Sequence, residues 1–330
     1  MDARSFILRQ DKGSLKGSVE QLSLPGLADG EVEICVEWSG VNYKDALVAT
    51  PGNRVAKRYP LVPGVDLAGR VLKSNSSTLK EGTDVIAHGY GIGVSRDGGF
   101  AEVTHLPAEW VVPLPSGMTT RHAMAIGTAG FTAVMCFQKL VHMGVNPSEA
   151  PVLVTGATGG VGSWAITVLA RNGFEVIAST GKADEHPYLR RLGASQVISR
   201  DELLQSDSRT LGLQKWAGVI DCVGGQTLAA VLRTVRYGGA VAATGLTGGS
   251  DLSTNVYPFI TRGISLLGVD TVATPIEERS RIWSEMSQSL PLSTVDETIN
   301  AEIGLSEVPE ALRVVEEGAL RGRILVRPHH

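Results

Sequence analysis

The stretch Val152-Leu153-Val154-Thr155-Gly156-Ala157-Thr158-Gly159-Gly160-Val161-Gly162 decides the fold. An apolar strand pattern ends at Gly156, and a helical pattern begins near Gly160. The spacing matches G-x-G-x-x-G, with Ala157 in the first glycine slot. In such a turn Gly159 lets the backbone approach a pyrophosphate, and Gly162 lets the helix pack close on the strand. Thr158, Gly159, Gly160 and Val161 then surround phosphates that meet the N–H groups of the helix N-terminus. A tight strand-to-helix turn without a ligand would show the same glycines. The strand–turn–helix context is what favours a dinucleotide.

Downstream, the pattern repeats. Strand FEVIAST (174–180), helix HPYLRRLGA (186–194), strands QVIS (196–199) and GVIDCVG (218–224), helix QTLAAVLRTVRYGG (226–239) and strand AVAATG (240–245) follow in turn. Alternation of this kind over 151–268 implies a doubly wound parallel sheet of the Rossmann type. Upstream, residues 1–120 read as β-rich. In EVEICVEWSGVN (31–42), Val32, Ile34, Val36 and Trp38 alternate with polar residues, and later short strands are separated by Gly and Pro. That spacing suggests a small barrel or sandwich. Residues 119–144 have helical spacing with small residues at the centre. The tail LSEVPEALRVVEEGALRGRILVRP (305–328) reads as one helix and one strand that return to the first domain. The expected class is α/β, a Rossmann sheet plus a β-rich barrel domain. The expected domains are 1–122 with 299–330, and 123–298.

The strand after the glycine turn ends at Ala178-Ser179-Thr180-Gly181-Lys182. A site for NAD carries Asp or Glu near this point to bind the ribose 2′-hydroxyl. Here the residues are small, neutral or cationic. A carboxylate would repel a 2′-phosphate, whereas Thr180, Gly181, Lys182 and, after the next strand, Arg200 would receive one. The reading is NADP(H); a solvated loop charge is the plainer alternative for Lys182.

The bulk composition narrows the partners. A net charge of −4 gives no basic footprint for nucleic acid. Three scattered cysteines support neither a disulfide framework nor a zinc ribbon, and they fit a reducing cytoplasm. The N-terminal MDARSFILRQDKG has charge on both sides of a very short apolar run, unlike a signal peptide. No run reaches the ~18 apolar residues of a membrane span.

With these features in place, the chain resembles the medium-chain dehydrogenase/reductases over nearly its whole length. The strings SGVNYKDAL (39–47), PLVPGVDLAGRV (60–71), DGGFAE (97–102), IGTAGFTA (126–133) and GATGGVG (156–162) occur in the expected order. The resemblance implies a GroES-like first domain. The zinc members carry a Cys ligand after the first SG turn and a His-Glu pair in the second string. Here those places read Asn42-Tyr43-Lys44-Asp45 and Val65-Asp66, and the four-cysteine structural lobe is missing. The expectation is a zinc-free enzyme, since zinc needs three or four N, S or O ligands brought together. Within that branch the chain is most similar to NADPH-dependent acryloyl-CoA reductases. This implies hydride addition to the C=C bond of an α,β-unsaturated thioester or enone, and a homodimer.

Tyr43 and Asn42 are then the first candidates for contact with substrate and nicotinamide. Tyr43 stands in the slot of a zinc ligand; a packing tyrosine at the domain boundary is its plainer reading. Asp45 is a candidate to orient Lys44 or Tyr43, and Asp66 to cap a turn. Thr128, in Ile126-Gly127-Thr128-Ala129-Gly130, opens or interrupts a helix, and small residues there would let the nicotinamide lie close; close helix packing by Gly127 and Gly130 is the plainer reading. By resemblance Leu246, Ile260 and Thr271 border the nicotinamide. Arg54, Lys57 and Arg58 are candidates for the phosphates of a CoA thioester, against a solvated loop. His88, Tyr90 and Cys222 read as structure. Quinone or alkenal reduction on the same fold, or NADPH binding without turnover, remain alternatives.

Overall fold

The computed structural model describes every residue except Met1, Lys12, Ser206, Asp207, Ser208 and Pro291, and it describes no side chain at 292–293. By contacts the chain divides into two compact units, Met1–Thr128 with Thr271–His330, and Ala129–Asp270. Residues 123–128 and 271–298 therefore fall with the β-rich unit, where the sequence pattern had grouped them with the Rossmann half.

The first unit is built on a mainly antiparallel sheet. Its strand order runs Ile299–Ile303, Arg323–Val326, Glu31–Gly40, Asp66–Ser74, Asp84–His88 and Val111–Pro113, with Val103–Pro107 also pairing Glu31–Gly40. Alternation in Glu31–Gly40 does what its pattern demands: Val32, Ile34 and Val36 are fully buried beside Leu67, Val71 and Leu106. A hairpin of Asp2–Asp11 and Ser14–Ser23 bridges to the body at Ser5–Ala101 and Leu8–Leu61. Its Phe6 and Leu8 join Val48, Leu61, Phe100, Leu312 and Val326 in a second core. The helix Ile276–Ser289 buries Arg279, Ile282, Trp283 and Met286, which share one face at spacings of three and four.

The second unit is a six-stranded, all-parallel sheet. Its order is Gln196–Ser199, Val176–Thr180, Val152–Val154, Trp216–Asp221, Val235–Ala243 and Ser265–Gly268. Helices follow the strands, including Gly160–Arg171 directly after the glycine turn and Gly225–Leu232 after Trp216–Asp221. Leu153, Ile177, Val219, Val231 and Val241 form its core.

The helix Thr120–His142 is long and apolar enough to cross a membrane by length and composition alone, but 67% of its most apolar window is buried inside the protein. It is not one straight rod. Gly127 has φ 51° and ψ −158°, outside helical space, and splits it. A Cβ there would lie 2.7 Å from both Arg323 Nη2 and an Asp66 carboxylate oxygen, so backbone and neighbours alike require glycine.

Candidate active site

In the parallel unit, the glycine turn has the expected form. Gly159 N donates to Gly156 O at 3.0 Å and Ser163 N to Gly159 O at 2.9 Å, which closes the turn onto the helix Gly160–Arg171. The two glycines singled out from the sequence differ in kind. A Cβ on Gly162 would lie 2.7 Å from Ala157 Cα and would collide with the Gly156 carbonyl, so close packing requires that glycine. Gly159 is ordinary in backbone, φ −73° and ψ 172°, and a Cβ there would meet only Gly156 O at 3.4 Å. Nothing severe within the protein demands glycine at 159, and the space it leaves suits a pyrophosphate. Thr158 is buried and Val161 half-buried, so a ligand would meet their backbone more than their side chains. Behind the turn, buried Asp221 accepts from Thr155 Oγ1 (2.6 Å) and Gly224 N (2.7 Å), fixing two neighbouring loops at the carboxyl ends of the strands.

At the end of Val176–Thr180 the cations gather as the sequence suggested. Arg200, the first residue of the helix Arg200–Gln205, lies over Gly181: a Cβ on Gly181 would be 3.3 Å from its Nη2. Thr180 Oγ1 accepts from Lys182 N at 3.1 Å. Partial burial lowers the Lys182 ammonium's pKa; Glu185 opposes this, and the Arg200 charge adds to it. Glu185 and Arg200 thus act on Lys182 in opposite senses, the carboxylate the more strongly. Leu246 and Ile260 are 51% and 72% exposed, large apolar groups open to a ligand or partner. Cys222 is only half-buried.

In the other unit, Asn42, Asp66 and Thr128 form one network around a residue the sequence reading missed, Arg323. Both members of the Arg323–Asp66 pair are buried, with Nη2 3.4 Å from Oδ2. Arg323 Nη1 donates to Asn42 Oδ1 (2.9 Å) and Val41 O (3.1 Å), and Nη2 reaches Met124 O (3.4 Å). Asp66 accepts from Asn42 Nδ2 (2.9 Å), Gly40 N (3.0 Å) and Thr128 N (2.9 Å). Burial lowers the guanidinium's pKa, against the pull of Asp66 and Asp45.

Asp66 therefore does more than cap a turn, and the Asn42 amide is committed to this network on both its atoms. Asp45 likewise does not orient Lys44 or Tyr43. It accepts backbone N–H groups of Asn42 (2.9 Å), Gly64 (2.9 Å) and Val65 (3.0 Å), tying the helix Tyr43–Ala49 to the 64–65 turn. Burial and then the Asp66 charge push its carboxyl up to about 7, against those three donors. Tyr43 opens that helix, half-buried against the second core, and no hydrogen bond among the described residues holds its hydroxyl. The signal that could have found Arg323 was an arginine opening an apolar strand, Arg323-Ile324-Leu325-Val326.

The basic loop resolves unevenly. Arg58 pairs with Asp97 at 2.8 Å and donates to Ser95 O and Pro60 O, so its charge is already met. Lys57 Nζ donates to Arg54 O, and Arg54 and Lys57 are exposed. Among the described residues, no group of three His, Cys, Asp or Glu is placed to hold a metal ion.

Residues 28–116 match the alcohol dehydrogenase GroES-like domain, and residues 160–289 match the zinc-binding dehydrogenase family. Together they define a medium-chain dehydrogenase/reductase. The chain is 43% identical to acrylyl-CoA reductase AcuI of Ruegeria pomeroyi over 96% of each chain. It is also 43% identical to putative quinone oxidoreductase YhfP of Bacillus subtilis over 94% of each, and the NAD-bound crystal structure of YhfP aligns with TM-score 0.95. The NADP complex of Salmonella enterica YhdH aligns with TM-score 0.93 at 42% identity, covering 98% of this chain and 99% of that one. The chain belongs to the quinone-oxidoreductase-like branch of the superfamily.

Proposed function

We propose that this chain is an NADPH-dependent, zinc-independent reductase of the C=C bond of a small α,β-unsaturated CoA thioester, converting acrylyl-CoA to propanoyl-CoA in the cytoplasm. The observation that carries the reading is near-full-length identity of 43% with a relative named acrylyl-CoA reductase. The cofactor reading is supported by the room at Gly159 and by Lys182 and Arg200 flanking Gly181 with no carboxylate at the end of the strand.

Bound NADPH supplies the hydride for the β-carbon. Thr158, Gly159, Gly160 and Val161 would hold its pyrophosphate; Thr180, Gly181, Lys182 and Arg200 would hold its 2′-phosphate; Leu246, Ile260 and Thr271 would border the nicotinamide. Tyr43 offers a hydroxyl to bond the cofactor or to deliver the α-proton, and Thr128 is held near Asn42 by Asp66. Asn42 shapes the site through its bonds to Arg323 and Asp66. Zinc independence is supported by the residue types at the places where zinc members carry ligands, Asn42-Tyr43 for the Cys and Val65-Asp66 for the His-Glu pair. Arg54 and Lys57 receive CoA phosphates, with Arg58 the weaker candidate since Asp97 already neutralises it. A homodimer is supported by the open edge strand Ser265–Gly268 and by exposed Val256 and Tyr257 ahead of it.

The test is NADPH oxidation followed in parallel with acrylyl-CoA, crotonyl-CoA and a simple quinone. The reading predicts the highest kcat/KM for acrylyl-CoA. A quinone turned over faster would favour the same-fold alternative, and no turnover with any of the three would sink the enzyme reading.

A further inference from the structure

The helix Gly160–Arg171 starts at the glycine turn, and Ser163 in its first turn is fully buried. The Ser163 N–H donates to Gly159 O at 2.9 Å, as helix formation requires. Its hydroxyl is aimed back at the glycine turn as well. Oγ lies 3.4 Å from the carbonyl oxygens of both Ala157 and Thr158, in position to donate its one proton to either. On the other side of the turn, Ala157 N donates to Ser179 O at 3.1 Å and ties it to the strand Val176–Thr180.

A second buried hydroxyl stands behind the first. Tyr188, in the helix His186–Arg191, is buried, and its hydroxyl donates to Ser163 Oγ at 3.0 Å. A serine hydroxyl has one proton and two lone pairs. With the tyrosine proton on a lone pair, the serine proton is left to the turn carbonyls, and each bond in such a chain polarises the next. The glycine turn has reason to need a clamp. Gly159 sits at φ −73° and ψ 172°, and having no Cβ it can leave that conformation more easily than another residue could. Peptide planes are rigid, so holding the carbonyls of Ala157 and Thr158 also holds the N–H groups of Thr158 and Gly159. Ala157, Thr158, Ser163, Ser179 and Tyr188 all belong to the compact unit Ala129–Asp270.

We infer that Tyr188 is a positioning residue for the pyrophosphate of the dinucleotide, acting through Ser163 to hold the peptide planes of 157–159. This rests on the NADPH reading above. Tyr188 follows Lys182 by six residues, so the same short segment carries a cation read as a 2′-phosphate contact and the hydroxyl that braces the glycine turn. The two roles are separable by ligand.

The experiment measures the Kd of Tyr188→Phe for NADPH, NADH and adenosine 2′-monophosphate. Both dinucleotides carry the pyrophosphate, whereas the monophosphate carries the 2′-phosphate alone. Phenylalanine keeps the ring and removes the hydroxyl. The expected result is that NADPH and NADH weaken by the same factor, roughly three- to tenfold, with the monophosphate unchanged. In a Ser163→Ala background the tyrosine change should add little, because its path to the turn is already cut. Weakening of NADPH and the monophosphate without NADH would place the effect at the 2′-phosphate and overturn the inference. Loss on all three ligands, loss on none, or a full further loss in the Ser163→Ala background overturns it equally. Should Tyr188→Phe fail to fold, Ser163→Ala, which cuts the same link at its other end, is judged by the same pattern over the three ligands. Wild-type protein that binds neither dinucleotide would instead refute the NADPH reading itself.

Discussion

Removing Lys182 and Arg200 together should cost the enzyme NADPH and leave NADH nearly untouched. Lys182 is half-buried, and a charge-assisted contact in that setting is worth roughly 1.5–3 kcal/mol. Arg200 is exposed, so its contact is closer to about 1 kcal/mol. Their sum, about 2.5–4 kcal/mol, corresponds to a fall in kcat/KM for NADPH of roughly 60- to 700-fold, at about 1.4 kcal/mol per tenfold. The assay is steady-state reduction of acrylyl-CoA by Lys182→Ala/Arg200→Ala with each cofactor, at low and high salt. The Arg200 share should shrink with salt and the Lys182 share should largely persist, because exposed charges are screened more. An acid at Ala178 is not the right companion change: that side chain is fully buried in the parallel sheet, and an uncompensated charge there would damage the fold. If the NADPH-to-NADH ratio of the double variant equals that of the wild type, or NADH activity falls in step, these cations do not read a 2′-phosphate.

Three further outcomes follow from buried groups. Burial, and then the Arg279 charge, hold the His88 pKa well below its ordinary 6.5, so the folded protein stays unprotonated there while the unfolded chain titrates. Stability should therefore fall below pH 6.5 by up to about 1.4 kcal/mol per pH unit, a slope that His88→Gln loses; identical slopes for the two proteins in urea unfolding between pH 6.5 and 5 would refute it. Arg323→Met strands buried Asp66 and should cost about 3–5 kcal/mol, whereas Asp66→Asn/Arg323→Met should cost much less than the sum of its parts; additivity in a denaturation cycle would show the pair to be uncoupled. Gly162→Ala must push the helix Gly160–Arg171 off the turn, at about 1–3 kcal/mol by thermal unfolding and with weakened NADPH binding; a neutral result would mean the turn has slack.

The glycine turn and the strand–helix alternation were legible because they are local: each depends on residues within about a dozen positions, and the structure carries both. The cationic end of Val176–Thr180 was legible for the same reason, with Arg200 brought over Gly181 by a single strand and turn. The helix Ile276–Ser289 was not seen, because its buried face opens with an arginine and so breaks the apolar period that marks a helix. The break at Gly127 was legible in the small-residue run 126–130, which reads as opening or interrupting a helix; that the chain passes from one compact unit to the other at this point was not. Asn42 looked like a free amide because the group that occupies it, Arg323, lies 281 residues away. Arg58 looked like a free cation until the fold supplied Asp97. Pairings between distant segments leave no periodicity to read; only the odd residue, an arginine opening an apolar strand, betrays them.

Arg323 also bears on which chemistry the Asn42 region can support. A guanidinium offers donors in a fixed plane and no open coordination position. It can therefore hold Asn42, Asp66 and, through Asp66, the amide of Thr128 in one geometry, but it cannot polarise a substrate oxygen as a Lewis acid does. An alcohol–ketone interconversion that relies on an acid to stabilise an alkoxide would be poorly served by such a site. A conjugated thioester is different, because its own carbonyl draws electron density from the β-carbon that accepts hydride. What it needs from the protein is orientation and a proton source. On the proposed reading the buried Arg323–Asp66 pair would keep Asn42 in place and Tyr43 would supply the proton, and the metal-free reading and the choice of an activated alkene then support one another.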